Sequence, residues 1–163
     1  MNIVKAIIIL ASLAISNVSL AAAIGGSASD FTLKSRAGKN VKLSEYRGDV
    51  VMINFWASWC GPCRQEMPAL EQLYKKYQDL GFVILGVNLD EDSSKAANLL
   101  QKIPVSFPIL YDNTKKVSTQ YDVKAMPTTF LVDRDGKLRY VHKAYKPGYE
   151  LKYAKEIKTL VRE

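Results

Sequence analysis

The chain contains two cysteines in 163 residues, and they stand together as Trp59-Cys60-Gly61-Pro62-Cys63. Spacing of i and i+3 at the head of a helix puts both sulfurs on one side of the first turn, close enough to form a disulfide. A helix N-terminus offers free backbone N–H groups and the positive end of the macrodipole, and both favour a thiolate at Cys60. A cysteine so placed becomes nucleophilic near neutral pH. Pro62 suits this first turn, where its missing N–H is not needed. Three chemistries use such a pair: a redox dithiol, a stabilising bridge, or a soft metal site. A four-residue loop constrains the unfolded chain by only about 2 kcal/mol, so a bridge here is a weak staple. Zinc needs three or four ligands. The only histidine, His142, is remote in sequence, which leaves Cu(I) as the ion best matched to two sulfurs.

Elements that could position the pair follow from periodicity. Val50 to Phe55 and Phe82 to Leu89 are continuous apolar runs, as in strands buried on both faces. Between them, Cys60 to Leu80 carries Met67, Leu70, Leu73, Tyr74 and Tyr77 at helical spacing, with Gly81 as the stop. Pro68 falls inside this helix and should bend it. Phe31–Leu33 and Val41–Leu43 flank a turn and predict an N-terminal hairpin. Further on, the pattern predicts a helix over 93–101, a strand over 107–111 and a short helix over 114–121. Thr128–Val132 and Lys137–Val141 flank Asp133-Arg134-Asp135-Gly136, a second hairpin signal. A last helix over 148–161 is expected to bury Leu151, Ala154, Ile157, Leu160 and Val161. Alternation of strands and helices predicts an α/β domain with a mixed central sheet flanked by helices, an N-terminal β-hairpin and a helix-strand insert near residues 90–111.

Composition sets the surroundings. The chain is 48% apolar and 24% charged, which excludes disordered and fibrous classes, and two cysteines are too few for a disulfide-stapled miniature protein. Met1 to Ala23 has one charge, Lys5, then an apolar stretch and an Ala21-Ala22-Ala23 end. This reads as an export signal with a mature start at Ile24, or as an uncleaved anchor, leaving one domain over 24–163. Export predicts a periplasmic location and oxidising surroundings in which two cysteines pair. It also argues against a nucleic-acid partner despite a net charge of +7. Residues 137–163 hold eight Lys and Arg against three Asp and Glu; a solvated helix face is the plain reading, and attraction to a membrane surface or an acidic partner the other.

The stretch Asn54-Phe55-Trp56-Ala57-Ser58-Trp59-Cys60-Gly61-Pro62-Cys63 resembles the active site of the thioredoxin superfamily, and Met126-Pro127-Thr128-Thr129-Phe130-Leu131-Val132-Asp133 resembles its cis-proline strand. Cys63-Arg64-Gln65-Glu66-Met67-Pro68, the hairpin and the central insert are similar to the exported TlpA/ResA branch. The resemblance covers about Ala28 to Val161 and implies a thioredoxin fold. It implies that Cys60 attacks and Cys63, buried beneath it, resolves the mixed disulfide. Pro127 is implied to be cis, presenting the backbone of Met126 to an extended substrate. Trp59, Gly61 and Pro62 complete the substrate-facing surface, and Trp56 and Trp59 are expected to shield the site, with plain packing as the alternative. No cofactor beyond the Cys60–Cys63 disulfide is implied.

Two departures concern proton transfer. Thioredoxin proper has a buried Asp and a Lys where Asn54 and about Gly86 stand, and an amide cannot take a proton at neutral pH. The exported branch bears a Glu after the second strand, which matches Glu91; Glu91 is therefore the expected base for Cys63, with a solvated loop charge beside Asp90 and Asp92 as its plain alternative. Gly61-Pro62 places no charge between the sulfurs, so the expected potential is low, in the thioredoxin range of about −270 mV rather than the oxidant range near −120 mV. That favours a monomeric reductant of exported cysteine-containing proteins, apocytochrome c among the clients the branch suggests. Thr128-Thr129 after Pro127 departs from the Pro-Glu-Thr of the cytochrome-maturation subgroup. With no dinucleotide motif in the chain, electrons are expected from a membrane-embedded thiol donor. A Cu(I) chaperone, or an isomerase or oxidase on the same fold, is the alternative. A peroxiredoxin-type peroxidase expects a Pro and a Thr before its cysteine, and Ala57-Ser58-Trp59 supplies neither. His142 reads as an exposed or packed residue.

Overall fold

The computed structural model describes residues 24–163; the expected export segment lies outside the described residues. Seven strands form one mixed sheet: β1 (Thr32–Ser35), β2 (Asn40–Lys42), β3 (Val50–Trp56), β4 (Phe82–Asn88), β5 (Ile109–Tyr111), β6 (Thr128–Val132) and β7 (Leu138–Lys143). Their order is β2-β1-β5-β4-β3-β6-β7. Strands β3, β4 and β5 run parallel, while β6 is antiparallel to β3, β7 to β6, and β1 to both β5 and β2. Four helices cover the sheet: α1 (Gly61–Tyr77), α2 (Ser93–Lys102), α3 (Lys116–Gln120) and α4 (Tyr149–Leu160). The expected hairpins, insert and helices are all present, with boundaries within a few residues. The 60–80 segment resolves into α1 and a 3-10 turn over Gln78–Leu80, ended by Gly81 at φ 75°, which glycine alone adopts without strain.

Strand β3 shows why the run VVMINFW is apolar at every position but Asn54. All seven of its residues are buried, and successive side chains enter opposite layers. Val50, Met52 and Trp56 join a core with Cys63, Met67 and Leu70 of α1 and Tyr153, Ile157 and Leu160 of α4. Val51, Ile53 and Phe55 join a second core with Val117 and Tyr121 at α3 and Phe31 beside the hairpin. In β3 and β6, Asn54 and Thr129 fall on the α1/α4 side by the same alternation, directly opposite each other in register. Thr129 in turn faces His142 of β7. A row of three polar residues thus crosses the sheet beneath α1 and α4.

Helix α4 departs from its expected face. Leu151 is 74% exposed, while Tyr153, Glu156, Ile157 and Leu160 are buried. The buried set follows i, i+3, i+4, i+7, and Leu151 lies about 200° around the helix from Tyr153. Of the expected stripe, Ile157 and Leu160 are buried and Ala154 and Val161 half-buried, while Leu151 is replaced by Tyr153 and Glu156. Helix α1 runs unbroken through Pro68, whose ring lies on the exposed side.

Candidate redox site

The site forms where β3 ends and α1 begins. After Trp56 the chain turns through Ala57-Ser58-Trp59, with the Cys60 N–H donating to the Ala57 carbonyl at 3.1 Å. Cys60 is the N-cap of α1, in extended backbone, and its Sγ accepts the Cys63 N–H at 3.2 Å. Pro62 sits in the first turn, as its geometry demands. Cys60 and Cys63 form a disulfide, with Cα atoms 5.3 Å apart. Cys60 is 5% exposed and Cys63 1%. In this disulfide form Cys60 is not an exposed sulfur but the less covered member of a largely covered pair. The difference follows from Cys60 standing in the loop before the helix while Cys63 faces the core.

Asp90 fixes this loop. Its carboxylate accepts the Ser58 N–H at 3.0 Å and the Ser58 hydroxyl at 2.9 Å, and Asn88 Nδ2 donates to it at 2.8 Å. Arg64 Nη1 also donates to the Ser58 carbonyl, at 3.3 Å. The end of β4 is therefore tied to the approach to Cys60. The sequence offered Asp90 only as one acid among Asp90, Glu91 and Asp92; that it alone turns inward is set by its place directly after β4.

A carboxylate is buried in the second turn of α1. Glu66, one helical turn after Cys63, is 1% exposed. Its Oε2 accepts Asn54 Nδ2 at 2.9 Å and its Oε1 accepts the Tyr153 hydroxyl at 2.9 Å. Asn54 Nδ2 also donates to Thr129 Oγ1 at 2.9 Å. Burial pushes the Glu66 carboxyl up to about 7, against hydrogen bonds from Asn54, Tyr153 and Thr129 that pull it down. Cys63 and Glu66 share a helix face by their spacing of three. This arrangement can hold or release a proton next to a cysteine near neutral pH.

Glu91, the expected base, is elsewhere. Its side chain is 80% exposed and its Oε1 pairs with Lys115 Nζ at 2.8 Å; that hydrogen bond and the charge of Lys115 lower its pKa. A solvated carboxylate held in its ionised form by a lysine is no part of the buried cluster, so the structure corrects this expectation in favour of the plain alternative. Gly86, in the place expected to lack a lysine, is a packing position: a Cβ there would meet Ile109 Cδ1 at 2.9 Å and Phe107 Cε2 at 3.0 Å.

The remaining expected residues gather at the same end of the sheet. The Met126–Pro127 peptide is cis, and Pro127 directly precedes Thr128, the register partner of Phe55 at the end of β3. Thr128 Oγ1 donates to the Ala125 carbonyl at 2.7 Å, and the Ala144 N–H to the Pro127 carbonyl at 2.8 Å. Met126 is half-buried between both cores. Gly61 is half-buried and Pro62 exposed beside the sulfurs. The two tryptophans divide: Trp56 is wholly buried core and Trp59 is 67% exposed. Trp59 therefore offers a surface for contact rather than a shield. His142 is buried, packed on the Tyr153 ring at 4.9 Å and bonded to Glu156 Oε2 at 2.6 Å. Among the described residues no group of three or more His, Cys, Asp and Glu is placed to hold a metal ion.

Glu66 is the functional candidate the sequence reading missed. Its signal was present: extending the stripe Met67, Leu70, Leu73 back by one turn reaches Cys63 and Glu66, a charge on an apolar face.

Comparison with known proteins agrees with this geometry. Residues 24–141 match the model of the AhpC/TSA family. The chain is 40% identical over 121 residues to "Thiol-disulfide oxidoreductase ResA" of Geobacillus thermodenitrificans, covering 74% of this chain and 70% of that one. It is 37% identical over 114 residues to the ResA of Bacillus subtilis, covering 70% and 64%. Among solved structures, a putative thiol:disulfide interchange protein DsbE from Chlorobium tepidum superposes with a TM-score of 0.83 at 38% identity, over 86% of this chain and 99% of that one. A putative protein disulfide isomerase from Bacteroides thetaiotaomicron gives 0.80 at 32% identity, over 87% and 92%. With its paired cysteines at the head of α1 on a thioredoxin-like sheet, the chain belongs to the AhpC/TSA family of the thioredoxin superfamily and is a thiol-disulfide oxidoreductase.

Proposed function

We propose that the protein reduces disulfides of exported proteins in the periplasm, taking its own electrons from the dithiol of a membrane-embedded donor. The observation that carries this reading is the Cys60-Gly61-Pro62-Cys63 disulfide at the cap of α1, with no charged side chain between the sulfurs and a buried carboxylate at about 7 behind them.

In the reduced protein the Cys60 thiolate gains from the Cys63 N–H and the free N–H groups of the first turn. It attacks one sulfur of a client disulfide; a bond from Cys60 to that sulfur forms, the client bond breaks, and the other client sulfur leaves as thiolate. Glu66 then accepts the Cys63 proton. The Cys63 thiolate attacks Cys60 Sγ, the Cys60–client bond breaks, and the second client thiolate departs. Two electrons have passed from the dithiol to the client, and the Cys60–Cys63 bond is restored. A donor dithiol reverses these steps. Exposed Trp59 and Pro62 and the Met126–Pro127 segment supply the surface for an extended client strand. Apocytochrome c, whose cysteines must be reduced before they receive haem, is a client class that fits this role.

Equilibration of residues 24–163 with reduced and oxidised dithiothreitol tests the direction. A potential near the thioredoxin value of about −270 mV is expected; one above about −180 mV, the isomerase range, would make the protein an electron acceptor and overturn the reading.

A further inference from the structure

One set of buried polar groups takes no part in those steps. Tyr153 of α4 is fully buried and donates its hydroxyl to Glu66 Oε1 at 2.9 Å. Behind it, the His142 ring packs against the phenol and bonds Glu156, which lies one turn after Tyr153 on α4. Groups reach Glu66 from the packed elements, Asn54 from β3, Thr129 from β6 and Tyr153 from α4, with Cys63 three residues before it on its own helix. Nearby stand Tyr145, whose hydroxyl is turned to Glu150 at 2.9 Å and whose pKa the Glu66 charge helps raise, and the His142–Glu156 pair behind Tyr153. Asn54 divides its amide between Glu66 and Thr129. Tyr153 donates to Oε1, the carboxylate oxygen that the Asn54 hydrogen bond to Oε2 leaves free.

We propose that Tyr153 is a positioning residue for proton transfer at Cys63: its hydroxyl fixes the Glu66 carboxylate in the orientation that receives the thiol proton. The proposal rests on the reading of Glu66 as acceptor. A hydrogen bond donated to a carboxylate favours the ionised form, so the phenol also sets the pH at which Glu66 can act. The ring is fully buried, packed on His142 in the core that also holds Met67 and Leu70, so its hydroxyl is a fixed partner for the Glu66 carboxylate.

The test follows the second step of reaction with 5,5′-dithiobis(2-nitrobenzoate). Reduced protein first forms a Cys60–thionitrobenzoate mixed disulfide; Cys63 then displaces the second thionitrobenzoate, whose release is timed from pH 5 to 9. In Tyr153→Phe the acid limb should move up by about one pH unit, with release about tenfold slower below pH 6 and unchanged at pH 9. In a Glu66→Gln background, Tyr153→Phe should change nothing further. Should Tyr153→Phe fail to fold, 3-fluorotyrosine at position 153 keeps the ring, donates more strongly, and should move the limb down. An unmoved limb in these variants, while Glu66→Gln shifts it, overturns the positioning role and leaves Glu66 as acceptor. An equal shift from Tyr153→Phe with and without Glu66 also overturns it. A limb that Glu66→Gln leaves in place removes the acceptor reading and the proposal with it.

Discussion

A carboxylate under a disulfide has an energetic cost that a glutamine would not have. Glu66 has Asn54, Tyr153 and Thr129 as hydrogen-bonding partners and no cation among them, so burial dominates and its pKa stands near 7 in the fold against an ordinary 4.5. With the folded value raised, its contribution to stability is full below about pH 4.5 and is lost as pH climbs to about 7. The loss amounts to about 3 kcal/mol at most. Glu66→Gln should therefore narrow the difference in urea-unfolding free energy between pH 4.5 and pH 8; a difference as large as that of the parent protein would show that Glu66 is ionised at no cost. Cys60 and Cys63 were legible from residue type and spacing, and Pro127 from the resemblance of the Met126-Pro127 segment to the cis-proline strand. Glu66 was not, because a glutamate in a helix is ordinarily solvated, and only tertiary burial by α4 separates it from Glu91. Glu91 drew attention by its neighbours, yet Lys115, distant in sequence, takes it to the surface.

At the scale of elements, periodicity gave nearly every strand and helix, since β3 and β4 must be apolar on both faces and α1 on one. It failed at α4, where the buried stripe is made of Tyr153, Glu156, Ile157 and Leu160 and two of the four are polar. A polar residue on a buried face is satisfied by partners on other elements, here Glu66 and His142, and no local pattern encodes them. The junction of β4 with the Cys60 loop is another long-range feature. Asp90 accepts the Ser58 N–H and hydroxyl, so Asp90→Ala leaves both without that partner. A loss of about 1–3 kcal/mol in urea unfolding is expected, with faster hydrogen exchange at Ser58 than in the parent. Unchanged exchange there would mean that the loop is held by α1 alone.

Over the whole molecule, both redox sulfurs, the cis-proline segment and exposed Trp59 lie at one end of the sheet, where β3 and α1 meet and β6 begins. The Glu66 carboxylate sits in the layer between sheet and helices, on the apolar stripe of α1 and covered by the packing of α4 on α1. The fold thus separates a surface end that carries Trp59 and the cis-proline segment from a buried layer that carries Glu66.

The division of labour between the cysteines is tested most directly by trapping. Residues 24–163 carrying Cys63→Ser, reduced and mixed with an oxidised disulfide peptide, should accumulate a covalent adduct on Cys60 that dithiothreitol releases, whereas Cys60→Ser should give little or none. An adduct formed equally well through Cys63, or none with either variant, would contradict the account.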